Sequence, residues 1–223
     1  MPTLLLASSS PARRSLLAAA GIDALVSVSG VDEAAVLADA QVRSGPLSAE
    51  DAVLLLAKAK AEAIATALLE GDPELVPADA PLGDILVLGC DSMLELDGVT
   101  VGKPRDARQA RERWQGMRGR TGVLHTGHWL VDARDRARGG GGGTLGATAS
   151  TTVHFAEVSD AEIEAYVATG EPLAVAGAFT IDGLGGPFID GIDGDPHTVI
   201  GLSLPLLRGL LAAVHVSITD LWR

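Results

Sequence analysis

The chain is poor in the features that would place it in several common classes. It has one cysteine, Cys90, among 223 residues, so no intramolecular disulfide can form, as suits a reducing compartment. Aromatic residues make up only 3% of it, and the apolar content is mostly Ala, Val and Leu, which suits helices packed on buried strands. No apolar run approaches the roughly 20 residues that span a bilayer. No basic segment precedes the short apolar run at the start, which argues against a signal peptide. The expectation is a soluble, cytoplasmic protein. Basic residues are also scarce: 17 Lys and Arg against 29 Asp and Glu give a net charge of −12. Such a chain is a poor binder of nucleic acid through its overall field, though a local basic pocket can still hold a small anion. Two nucleotide-binding signatures are missing as well: there is no GxxxxGK[ST], and no GxGxxG follows a strand.

What is present is an alternation of short apolar runs and helical patterns. TLLLA reads as a buried strand and residues 11–20 as a helix stopped by Gly21. VSVSGVDE (26–33) reads as a strand entering a turn. Residues 48–71 read as a long helix, with Ser48 and Asp51 as a box-like start and Gly71 as its stop. ILVLGCD is a continuous apolar strand, followed by the hairpin MLELDGVTVG turning at Asp97-Gly98. A helix capped by Asp106, the strands GVLHTGHWLVD and TASTTVHFAEV, and a helix from Ser159 to Gly170 follow. AGAFTID and GPFIDGIDGD read as strand-like, and a last helix runs from about Pro205 to Val216. Residues 70–84 and the glycine-rich 136–148 read as connectors, the second as a flexible surface loop without chemistry. Strands alternating with helices give an α/β fold, and the hairpins make its sheet mixed.

Three local oddities point to chemistry. In SSSPARR, Ser10 reads as an N-cap and Pro11 as the first helical residue. Arg13 and Arg14 then sit at the positive end of the helix dipole, where cations are disfavoured unless an anion offsets them. In the long helix, Lys60 falls within the apolar stripe of Val53, Leu56, Ala57 and Ile64, whereas Lys58 falls to its side. A lysine there must snorkel, pair with a carboxylate or meet a ligand. Asp91 ends a run without polar side chains, at a strand exit where α/β proteins place their chemistry. Lys103 follows the hairpin that folds back towards that strand end, and Glu33 is a further acid by chemistry alone. Carboxylates with several cations suit metal-assisted chemistry on a polyphosphate. The five histidines show no ligand spacing with cysteine, and His125 and His128 should face opposite sides of their strand.

LASSSPARRSLL resembles the signature of the Maf family of nucleoside triphosphate pyrophosphatases. The resemblance continues in VDE, LAKAKAEAI, CDSMLELDGVTVGKP, MRGRTGVLHTG, GEPLAVAGAFTIDGLGG and GDPHTVIGLSLPLL, and so spans essentially the whole chain. It implies a single α/β domain over 1–223, like that of inosine triphosphatases, with a mixed twisted sheet, flanking helices and two lobes around a cleft. It implies hydrolysis of a nucleoside triphosphate to the monophosphate and pyrophosphate with a divalent metal, Mg²⁺ or Mn²⁺. By the same resemblance Asp91 is the catalytic acid that activates water, and Arg13, Lys60 and Lys103 are phosphate-binding cations. Ser8 and Ser10 belong to the phosphate-binding turn, and Glu33 helps Asp91 hold the metal. Members acting on dTTP and UTP carry SPRR, an ADT triplet and an IQG triplet, where this chain has Ala12, Ser92 and Asp182. That pattern leans towards the branch preferring N7-methylguanosine triphosphate, and an acid could accept from guanine N–H groups. The expected partner is the triphosphate, with no nucleic acid or membrane and with a homodimer admitted. A nucleotide-binding regulator of cell division without turnover, and a nucleotidyltransferase, are the rival readings.

Overall fold

A computed structural model describes all residues except 73–80 and 82. Most of the connector 70–84 therefore lies outside the described residues. The elements run β1 (Thr3–Ala7), α1 (Pro11–Ala19), β2 (Leu25–Ser27), α2 (Glu33–Ser44), α3 (Ala49–Glu70), β3 (Ile85–Leu96), β4 (Val99–Val101), α4 (Ala107–Met117), β5 (Thr121–Asp132), β6 (Thr144–Phe155), α5 (Asp160–Ala168), β7 (Ile189–Asp193), α6 (Pro196–Ile200) and α7 (Leu204–Ala213). They form an α/β fold around one mixed sheet in the order β2-β1-β3-β5-β6-β7, with β4 also on β3. β1 pairs in parallel with β2 and β3, and all other pairings are antiparallel. Among the described residues no helix is long and apolar enough to cross a membrane.

Strand alternation builds a core on each face of the sheet. Leu4, Leu6, Leu86, Leu88 and Cys90 pack with Leu207 and Leu211 of α7. Leu5, Ala7, Ile85 and Val87 pack with Ala61 and Ile64 of α3. The far halves of β3, β5 and β6 carry a third cluster, in which Phe155, Tyr166 and Phe188 meet the Trp114 ring edge-on at 5.5–5.9 Å. Five of the seven aromatic residues are thus concentrated in one place, with Trp129 and Trp222 elsewhere. Helix α3 lies unusually close to the sheet because β3 and β5 present glycines to it. A Cβ on Gly89 would fall 2.1 Å from the Ala57 carbonyl oxygen, and one on Gly127 would fall 2.3 Å from that of Val53. No side chain fits at either position.

The fold departs from the sequence reading in instructive ways. ILVLGCD and MLEL are one twelve-residue strand, β3, because β5 pairs along nearly its whole length. Residues 33–44 form a helix that the periodicity did not reveal; it buries only Ala40. AGAFTID is not a strand: Gly177 and Ala178 both take left-handed backbone angles, which break an extended run. The strand expected over VSVSGVDE starts one residue earlier and ends early, as Leu25–Ser27, and GPFIDGIDGD is extended only from Ile189, after a 3₁₀ turn. Pro196–Ile200 forms the short α6, unforeseen beside the longer α7. The predicted caps at Ser10, Ser48, Asp106 and Ser159 all form. Ser48 differs in detail, because its hydroxyl donates to Asp51 in place of a backbone reciprocal bond. The glycine-rich segment is pinned at its base, where Gly141 N–H donates to Asp132 and Arg134 donates to Asp132 and to the Gly139 carbonyl.

His125 and His128 do face opposite sides of β5. His125 bonds Ser150 at 2.8 Å. His128 is fully buried; Nδ1 donates to the Thr126 carbonyl at 3.0 Å, and Nε2 accepts from Ser203 N–H at 2.8 Å. It therefore ties β5 to the N-cap of α7. Burial, aided by the Arg13 charge and resisted by the Thr126 bond, pushes its pKa down to about 4 from 6.5. The unfolded chain takes up this proton first as pH falls, so the stability from neutral His128 is present above pH 6.5 and is lost as pH drops towards 4. The loss amounts to roughly 3 kcal/mol. Urea midpoints measured from pH 7.5 to 4.5 should fall less steeply in His128→Gln than in the wild type. Parallel curves would refute this role.

Candidate functional site

The site grows out of one discontinuity in the sheet. β1 pairs with β3 up to Ala7↔Gly89, and β4 takes over only at Val101↔Leu94. Between them, Cys90–Met93 have a strand neighbour, β5, on one side only. This open edge lies in a cleft of about 660 Å³, whose wall also includes the Ser8–Arg13 turn, Lys60, Lys103 and the 171–182 segment. Ligands of open α/β sheets bind where the strand neighbours diverge in this way.

Arg13 fills the gap left by the missing strand. Its Nη1 donates to the Cys90 carbonyl and to Ser8 Oγ, both at 2.9 Å. Its Nε donates to the Gly201 carbonyl at 2.7 Å, and Nη2 donates to Ser92 Oγ at 2.9 Å. Thr126 Oγ1 donates to the Thr198 carbonyl at 2.9 Å, so the 2.8 Å contact between Ser92 and Thr126 has Ser92 as donor. One directed chain then runs Arg13, Ser92, Thr126, Thr198. Four of the five guanidinium N–H donors point at protein acceptors, and the fifth has none among the described residues. Arg13 is thereby removed from solvent, whereas Arg14 stays exposed. Ser10 caps α1, and Ser8 also accepts from Ser10 N–H. Ala12 is on the cleft wall without a side chain long enough to reach across it.

On the other face of β3, Lys60 joins two carboxylates. Its Nζ is 2.6 Å from Asp91 Oδ1 and 2.7 Å from Glu33 Oε1. The Lys60 and Asp91 side chains are each only 12% exposed, and that of Glu33 is 52% exposed. Pairing is thus how a lysine survives in an apolar stripe, and Gly89 allows the close approach of α3 that makes it reach. Burial raises the Asp91 pKa; the Lys60 and Arg13 charges oppose this, and Glu33 adds to it. Lys103 is exposed on the rim and pairs with no carboxylate among the described residues. Asp182 is also exposed on the wall. The remaining wall is largely apolar and includes Val31, Val175, Phe179 and Ile200.

Ser8, Ser10, Ala12, Arg13, Glu33, Lys60, Asp91, Ser92, Lys103 and Asp182 all line this cleft, whereas Arg14 does not. Two that matter were not singled out. Thr126 completes the Arg13 chain, and nothing in GVLHTGHWLVD distinguishes it. Glu171 is on the cleft wall and accepts four hydrogen bonds. Its only signal was an acid next to proline in GEP.

An α/β sheet opened at a switch point, with a buried and a half-exposed carboxylate bracketing a lysine and a serine-rich helix start beside them, defines a protein suited to a small anionic ligand. Comparison with known proteins sharpens this class. The family model described as Maf-like protein matches residues 3–214, and the chain belongs to that family. A protein of Salinispora tropica is 55% identical over 98% of this chain and 87% of its own length. One of Leifsonia xyli subsp. xyli is 53% identical over 98% of this chain and 96% of its own, and one of Streptomyces coelicolor 54% over 98% and 94%. All three are named nucleoside triphosphate pyrophosphatase.

The two lysines of α3 give a direct test of the geometry. Lys58 is 43% exposed, 3.9 Å from Glu62 and over the Trp129 ring. Lys60→Met should destabilise the fold by about 2 kcal/mol, because it leaves Asp91 buried without its cation. Lys58→Met should cost about 0.5 kcal/mol. Equal losses in urea unfolding at pH 7 would contradict the bracketing of Lys60.

Proposed function

We propose that the protein hydrolyses a nucleoside triphosphate to the monophosphate and pyrophosphate. The observation that carries this reading is the buried Asp91, held 2.6 Å from Lys60 on the open edge of β3. The relatives' names and the shared family support the reaction class. In this reading the phosphates lie against the Ser8–Ser10 turn, the last free donor of Arg13, Lys60 and Lys103. Asp91 takes a proton from a water whose oxygen attacks the α-phosphorus. The bond from that phosphorus to the bridging oxygen breaks, and pyrophosphate leaves.

Charge on the cleft wall argues for help from a cation. Glu33, Asp91, Glu171 and Asp182 face Arg13, Lys60 and Lys103 there, so the wall as a whole is not positive. Glu33 and Asp91 aim oxygens at the same ammonium, and two converging carboxylates are a donor set that suits Mg²⁺ or Mn²⁺. These two residues would hold the ion, which when bound would neutralise phosphate charge. Lys60 then orients both carboxylates from the helix side.

The base is the finer question. Ser92 is engaged by Arg13 and Thr126, so its hydroxyl serves the framework. Asp182 is an exposed acceptor on the wall, and Ala12 leaves room at the turn. We propose a base that offers N–H donors to Asp182, as guanine and 7-methylguanine do.

Asp91→Asn should lower pyrophosphate release by about 10²-fold or more, because amide nitrogen and oxygen cannot take the water's proton. Wild-type release that persists in this variant would overturn the assignment. Tight nucleotide binding without release in the wild type would indicate a sensor. Release that requires a second acceptor would indicate nucleotidyl transfer.

A further inference from the structure

Glu171 opens a 3₁₀ turn directly after Gly170, whose left-handed backbone ends the run from α5. Its Oε1 accepts from Tyr166 Oη at 2.9 Å, Thr180 Oγ1 at 2.5 Å and Gly185 N–H at 3.1 Å, and its Oε2 accepts from Leu184 N–H at 3.1 Å. Four protein donors converge on this carboxylate, three of them on Oε1, so the protein itself engages this acid. Three of the four donors belong to residues 180–185, which flank Asp182. The segment is drawn in so tightly that a Cβ on Gly185 would lie 2.5 Å from Tyr166 Oη and 2.7 Å from the Thr180 carbonyl oxygen. Just before the segment, the Trp114 indole N–H donates to the Ala178 carbonyl at 2.8 Å. Asp182 has no ion pair of its own among the described residues and stays exposed to the cleft.

We infer that Glu171 is a positioning residue that fixes the 180–185 segment and so sets which base Asp182 accepts. This rests on the reading of the cleft as a nucleoside triphosphate site. Partial burial pushes the Glu171 pKa up, but the Thr180, Leu184, Tyr166 and Gly185 donors outweigh it and leave the carboxyl below its usual range. The acid therefore stays an acceptor at neutral pH. A glutamine at this place has one oxygen to accept and an amide group that faces donors, so part of the clasp must open.

The test is a double-mutant cycle. The wild type, Glu171→Gln, Asp182→Asn and the double variant are assayed for pyrophosphate release from GTP, 7-methyl-GTP, UTP and dTTP. In either single variant the kcat/KM ratio between the best and the poorest substrate should fall about tenfold, with the change in KM for the best substrate and kcat within about threefold. The double variant should discriminate no worse than Asp182→Asn, because both act on one contact. A purely structural role for Glu171 would lower the melting temperature and slow all four substrates alike. An unchanged ratio in E171Q, or losses that add in the double variant, would overturn the inference and leave the hydrolase reading intact. A wild type that releases no pyrophosphate from any of the four would overturn both. Should E171Q fail to fold, Thr180→Val removes one donor to the same carboxylate and is read in the same way.

Discussion

A β-strand that loses a neighbour exposes backbone groups that must be satisfied by something else. Here that strand is β3, and the gap between Gly89 and Leu94 on its open side organises the molecule. On one face the Arg13 guanidinium covers the Cys90 carbonyl and reaches on to α6 through Ser92 and Thr126. On the other, Asp91 leaves the sheet beneath α3 and meets Lys60. The irregular segment between α5 and β7 supplies the wall that carries Asp182.

This gap settles the puzzle of two arginines at a helix start. Arg13 turns inward, where protein carbonyl and hydroxyl oxygens take its donors, and only Arg14 extends to solvent. The dipole argument pointed to an anion, whereas the acceptors seen on Arg13 are oxygens of the chain itself. In the proposed reading, a phosphate at the turn would meet one remaining Arg13 donor, the serines and a lysine on the rim. It would not meet a free guanidinium fork, because Arg13 already donates to four protein contacts.

Much of this was legible in the sequence because it broke local rules. A lysine inside an apolar stripe and an acid after an unbroken apolar run are both visible without coordinates, and they turn out to be partners. Capping residues and strand alternation also read through correctly. What did not read through was set by tertiary contact. Helix α2 buries too little for its period to show. AGAFTID has the composition of a strand, yet left-handed angles at Gly177 and Ala178, with the Trp114 bond to Ala178, make it a coiled wall. Glu171 and Thr126 carry weight only through what they touch, and a single sequence does not record that.

The most direct test of the account is where a triphosphate lies. A crystal structure with a nucleoside triphosphate analogue whose α,β-bridging oxygen is replaced by methylene should place the α-phosphorus beside Asp91 at the open edge of β3. The β- and γ-phosphates should run along the Ser8–Arg13 turn towards Lys103, and the base should face Asp182. An analogue bound elsewhere, or bound with its base at the serine turn and its phosphates at Glu171, would contradict the central claim that the gap in β3 is the reaction centre.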